Sequence, residues 1–147
     1  MNTQENLKAS GSLRVVVTGS DGKVKAEHDF KNLVVTVGKN FVASRMVGTA
    51  SAIMSHMGIG SGTTAAAVGD TALESQLGRV ALTSGTAAGA VATYTATFPA
   101  GTGTGAVTEA GIFNDPTTGT MLCRTVFSVV NKGVDDAMSV TWTVTIS

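Results

Sequence analysis

The stretch Met138-Ser139-Val140-Thr141-Trp142-Thr143-Val144-Thr145-Ile146-Ser147 decides the fold class. Met138, Val140, Trp142, Val144 and Ile146 alternate with five hydroxyl residues. Successive side chains of a strand point to opposite faces, so this segment is a half-buried β-strand. Burying a large apolar side chain contributes about 1.5–3 kcal/mol, so the inner face supplies roughly 8–15 kcal/mol gross, before chain entropy is subtracted. The outer face carries hydroxyls and no charge. It suits water, a neighbouring subunit or a second strand.

The same alternation recurs upstream. Ala90 to Phe98 places Tyr94, Ala96 and Phe98 on one face and Thr93, Thr95 and Thr97 on the other. Ser12 to Thr18 and Lys23 to Asp29 flank a Gly19-Ser20-Asp21-Gly22 turn signal. Asn32 to Thr36 is a short apolar run. Ala52 to Ile59, Arg79 to Ser84 and Val107 to Phe113 read as strands. Thr120 to Val130 is apolar on both faces, which marks a central strand. Gly85 to Gly89 reads as a turn, Asn114-Asp115-Pro116 as another, and Asn131 to Asp136 as a polar loop. Asp70 reads as the cap of a brief helical turn that stacks Leu73 on Leu77. Val37 to Val47 is the one longer helix, with Val37, Phe41, Val42 and Met46 near one side, Thr36 as cap and Gly48 at its end. Eight to nine strands with a turn every 8–12 residues predict a single all-β domain. The expectation is a jelly-roll-like β-sandwich over residues 12–147, preceded by an extended polar arm, residues 1–11.

Composition agrees. The chain has 147 residues, enough for one real core. Charged residues are 14%, below the ~25% usual for a soluble domain, and the formal net charge is zero. A balanced chain has no broad basic footprint, so nucleic acid is not an expected partner. No run of 18 apolar residues is present, so no membrane-spanning helix is expected. The segment MNTQENLKASG does not read as a secretory signal. Cys123 is the single cysteine, so no intrachain disulfide is possible.

Few residues suggest chemistry. Gly58-Ile59-Gly60-Ser61-Gly62-Thr63-Thr64 has the glycines of a phosphate cradle, but no Gly-Lys-Ser/Thr follows, and no lysine lies between Lys39 and Lys132. His28 and His56 match no zinc spacing; they read as a surface histidine and a satisfied sheet histidine. No serine sits in a Gly-x-Ser-x-Gly elbow. Cys123 lies in an apolar strand and reads as core. Glu74 and Glu109 are the imaginable acid pair, yet nothing in the sequence brings them together. Glu109 is expected to pair with Arg124 or Arg79 across the sheet. With one Trp and one Tyr, an aromatic binding platform is not expected, and Trp142 reads as core. No catalytic residue, cofactor or metal is expected.

Several segments in order carry a resemblance. They are Met57 to Ala65, Gly69 to Glu74, Arg79, Thr95 to Phe98, Thr108 to Asn114, Gly119 to Phe127 and Val140 to Val144. Together they resemble a family of small virion proteins from tailed bacteriophages, over residues 33–147. The resemblance implies a structural, non-enzymatic protein, made in the host cytoplasm and located on the virion. Two roles follow. One is a capsid cement or decoration protein that binds the outside of the assembled head and bridges major capsid protein subunits. The other is a tail, baseplate or fibre attachment protein. A short chain without collagen-like or coiled-coil tracts favours cement. The expected partners are the major capsid protein and the chain itself, as dimer or trimer. The expected contact residues are Asn2, Thr3, Gln4, Glu5, Asn6, Leu7 and Lys8 of the arm, with Ser61, Thr63 and Thr64 of the glycine-rich loop.

Overall fold

A computed structural model describes residues 5–48 and 52–147. Nine strands and one helix follow in the order β1 (Ala9–Thr18), β2 (Val24–Val34), α1 (Thr36–Met46), β3 (His56–Gly60), β4 (Gln76–Ala81), β5 (Ser84–Ala88), β6 (Val91–Phe98), β7 (Gly105–Phe113), β8 (Met121–Lys132) and β9 (Ala137–Ile146). All pairings are antiparallel, and the strands form one sheet in the order β4-β3-β7-β8-β2-β1-β9-β6-β5. The all-β class is as expected.

The sheet curls over one core in the manner of a half-barrel. Trp142, Phe98, Leu13 and Val15 come from one half, and Met57, Ile59 and Ile112 from the other, into a single cluster. The expected sandwich of two separate sheets is not what forms. Strand β2 pairs with β1 over most of its length, then turns Leu33 and Val34 onto Arg124 and Cys123 of β8. The two halves are therefore hydrogen-bonded through β2. At the opposite side, β4 and β5 are separated only by Leu82 and Thr83. The Leu82 N–H donates to the Ser55 carbonyl at 2.9 Å and the Thr83 N–H to the Thr95 carbonyl at 2.7 Å, so this corner carries the chain from one half to the other.

The amphipathic strands behave as their alternation predicts. In β9, Met138, Val140, Trp142 and Val144 are buried, while Ser139 and Thr141 are exposed. Strand β8 is buried on both faces over its first five residues, where α1 packs against it through Gly38 at Leu122. The Asp21-Gly22 turn forms: Gly22 has φ 79° and the Asp21 carboxylate accepts the Lys23 N–H at 2.9 Å.

Six local expectations are corrected. The helix is present and ends at Gly48 with φ 67°, but Val35, not Thr36, is its N-cap, and no side chain caps it. The Thr36 N–H instead donates to the Val68 carbonyl at 2.8 Å, so the glycine-rich loop satisfies that donor. Phe41 and Val42 pack on the core, whereas Met46 is 79% exposed. Strand β3 begins at His56 rather than Ala52. No helical turn forms at Asp70: its carboxylate is taken by Arg124, and Leu77 is drawn into β4. Gly85–Gly89 is not a turn. Residues 84–88 form β5 against β6, and the reversal falls at Gly89, φ 58°. Finally, β1 begins at Ala9, because Ala9, Ser10 and Gly11 pair with Ile146, Thr145 and Val144; the last three residues assigned to the arm are strand.

Candidate functional site

The glycine-rich loop from Gly60 to Asp70 lies on a buried ion pair. Glu109 is on β7 and Arg124 on β8. In the register Glu109 faces Val126, so Arg124 is its diagonal neighbour on the same face, within reach of long side chains. The Arg124 Nε and Nη2 donate to Glu109 Oε2 at 3.1 and 2.9 Å, and Nη1 donates to Asp70 Oδ2 at 2.8 Å. Glu109 is 0% exposed and Arg124 2%.

Burying two charges costs several kcal/mol per ion unless every lone pair and proton finds a partner. Here the chain supplies them. The Gly62 and Ser75 N–H groups donate to Glu109 Oε1 at 3.1 and 2.7 Å, and the Glu74 N–H to Oε2 at 3.0 Å. The Thr108 hydroxyl donates to the Gly62 carbonyl at 2.7 Å. Burial opposes the charge on Arg124, but its bonds to Glu109 and Asp70 outweigh this and raise its pKa. Two glycines make the approach possible. A Cβ on Gly60 would strike the Ser75 carbonyl, and one on Gly62 would come 2.5 Å from Glu74 Cβ and 2.7 Å from Glu109 Cδ.

On this support the loop turns uncharged residues outward beside the exposed Glu74 carboxylate. Thr63, Thr64 and Ala65 are exposed, and Ser61 is half-buried with its hydroxyl donating to Ser75 Oγ at 3.2 Å. The Thr63 N–H donates to Glu74 Oε1 at 3.2 Å. The Thr64 hydroxyl, and after it the Thr63 N–H, holds the Glu74 carboxyl below the usual glutamate range. Of the expected arm residues, Glu5, Asn6, Leu7 and Lys8 are exposed, Leu7 at 78%. Asn2, Thr3 and Gln4 lie outside the described residues. The Lys8 backbone is tied to Ser147 in both directions, at 2.6 and 2.8 Å. Arm base and loop border a common residue: Lys31 lines the hollow beside Thr63, Ala65 and Ala66 and also the one beside Ser10–Ser12.

Other residues singled out in the sequence fall where their chemistry suggests. His56 Nδ1 lies 2.8 Å from Ser55 Oγ, and His28 is exposed and stacked 5.7 Å from Phe30. Cys123 is fully buried, and burial pushes its thiol up. Glu74 and Glu109 do come close, but through the Glu74 backbone N–H, not as two facing acids.

A second surface was not legible. The outer faces of β5, β6, β9 and β1 align hydroxyls in rows: Thr86, Thr93, Thr143 and Ser12 in one, Ser84, Thr95 and Thr141 in the next. Ser84 and Thr95 are bonded at 2.6 Å, and Ser12 and Thr143 at 3.2 Å. The face turns charged only at Arg14, which holds Glu27 and Asp29. The period-2 pattern showed each strand's hydroxyl side, but strand order decides that they adjoin.

Comparison with protein-family models, curated proteins and solved structures finds no match for this chain.

Proposed function

We propose that this chain is a structural component of a tailed-phage virion, a capsid cement protein that binds the outside of the assembled head and bridges major capsid protein subunits. The observation that supports it is the loop at Ser61–Ala65: a stretch without charged residues, exposed at Thr63–Ala65, whose backbone is fixed from beneath at Gly62 by Glu109, itself held by Arg124. A loop ordered before binding loses little further freedom on contact, so modest contacts retain more of their free energy. Binding only the assembled shell stabilises that shell by mass action, and repetition over the particle multiplies the effect. The two facing halves of the curled sheet serve as the sandwich-like brick that such a role needs. The arm, in which Glu5–Lys8 are exposed ahead of Ala9, is the second contact element.

The test is a copy count in purified virions by quantitative mass spectrometry. Cement requires hundreds of copies per particle; a count of only a few, set by tail symmetry, overturns the head assignment. Deleting residues 2–7, which spares the Lys8–Ser147 pairing, should leave a folded protein that no longer saturates particles. Full occupancy by the truncated protein would rule the arm out.

A further inference from the structure

We propose that the free edge of β5 is a self-association site, pairing antiparallel with β5 of a second copy of this chain about a two-fold axis at Thr86. Among the described residues, strand β5 is the last of the sheet and is hydrogen-bonded only to β6. Along such an edge every second N–H and C=O points outward without a strand to receive it. Proteins blunt these edges with charge, proline, bulges or covering loops. Strand β5, Ser84-Gly85-Thr86-Ala87-Ala88, has no charge, no proline and an unbroken register with β6, and all five residues are exposed.

The other edge shows what protection looks like. Strand β4 carries Arg79, whose guanidinium sits 3.6 Å over the Phe113 ring and donates to the Asp115 and Thr118 carbonyls at 3.1 and 2.9 Å. Its pairing with β3 shifts register at Ile59/Gly60, and Gly78 lies against the backbone of Gly103.

Charge selects a second copy as the occupant. No charged residue lies between Arg79 and Glu109, and β9 has none. The outer face runs from neutral β5, β6 and β9 to charged β1 and β2, where Arg14, Glu27 and Asp29 cluster. A two-fold axis at β5 joins the neutral halves and leaves the charged halves in water. It sets Ser84 opposite Ala88, Gly85 opposite Ala87, and Thr86 opposite itself. All are small and uncharged, and a threonine pair across strands is favourable. An isologous contact of this kind closes at the dimer, so a bare edge does not propagate into fibres.

A groove adjoins the edge and adds apolar area. It measures about 540 Å³ and is lined by Ile53, Met54, Leu82, Ala92 and Tyr94, with Ile53 65% exposed. A strand laid along β5 shelters it.

The proposal deepens the structural role proposed above, but it is measured on the isolated chain, so either can fail alone. Sedimentation velocity of the full-length protein over a concentration series should show a monomer–dimer equilibrium. Thr86→Lys and Thr86→Glu each set like charges face to face and should weaken the dimer by about tenfold or more. Mixing the two variants should restore a heterodimer. Thr141→Lys, two strands inward, should leave the dimer unchanged. Hydrogen exchange of the wild type covers the case of a poorly folded variant: β5 amides should gain protection only as concentration rises. A wild type that stays monomeric to its solubility limit overturns the proposal. So does a dimer that survives Thr86→Lys, or β5 amides protected only when another protein is added.

Discussion

At one end of the sheet β4 is buttressed by loops, an arginine stacked on Phe113 and, two and three strands further in, Glu109 and Arg124 of a buried network with Asp70. At the other end β5 is five small exposed residues bonded on one side only. Both belong to the same sheet and are joined by two residues, Leu82 and Thr83. The contrast separates two physical jobs. Buried charge fixes irregular backbone at the first end; the outer face of β5, β6 and β9 carries hydroxyls and no charge and is free to be covered.

The contrast should break most visibly at Glu109. Glu109→Ala leaves Arg124 buried with only Asp70 as a charged partner and removes the acceptor for three backbone N–H groups. Losing one member of a buried pair costs about 3–5 kcal/mol, which urea denaturation monitored by Trp142 fluorescence should report. A cost under about 1 kcal/mol would mean that the loop is held by its backbone alone.

The two edges should differ next. Arg79→Ala removes a cation–π contact, two hydrogen bonds to backbone carbonyls and one to Gln76 Oε1, and should cost about 1–2 kcal/mol. Thr86→Ala on β5 should stay within about 0.5 kcal/mol of wild type when measured as a dilute monomer. Equal costs at both edges would erase the distinction.

Acid should give the smallest effect, and none at the β5 edge. Backbone N–H groups of Thr118 and Thr117 hold the Asp115 carboxyl down, from 3.8 to about 2, and Glu74 is also lowered. A carboxylate with a depressed pKa contributes stability above its unfolded value and loses it as pH falls through the folded one. The Gly133 N–H, and after it Lys25, holds Asp136 down as well, so as pH drops from the ordinary aspartate range toward about 2, the 114–119 turn, the 60–76 region and the 133–136 loop should loosen first. The β5–β6 hairpin has no carboxylate to titrate. Amide exchange corrected for intrinsic rates should show this order, and simultaneous loosening of the hairpin would contradict it.

Much of the architecture was readable residue by residue. Strict alternation in 138–147 and 90–98 gave two strands and their inner faces, because one buried face leaves no freedom of register. Glu109, an acid inside an apolar strand, needed a cation, and Arg124 was one of two within plausible reach. Asp70 was misread, since aspartate before a short run that includes Leu73 and Leu77 has the same local signature whether it caps a helix or binds a distant arginine. Gly85–Gly89 was misread because glycine, alanine and threonine carry no apolar period; only β6 beside it makes it a strand.

By itself the sequence determined that the chain is all-β, with Trp142 and Cys123 inside, a helix closed by Gly48 and a tight turn at Asp21-Gly22. Those are local matters, settled by side-chain period and by the backbone angles that glycine permits. The tertiary structure alone decided that the strands join into one curled sheet through β2, that hydroxyls from four strands merge into one face, and that β5 is left as an open edge. Each depends on which strands become neighbours, and antiparallel backbone hydrogen bonds are the same for every pair, so nothing written along a single strand names its partner.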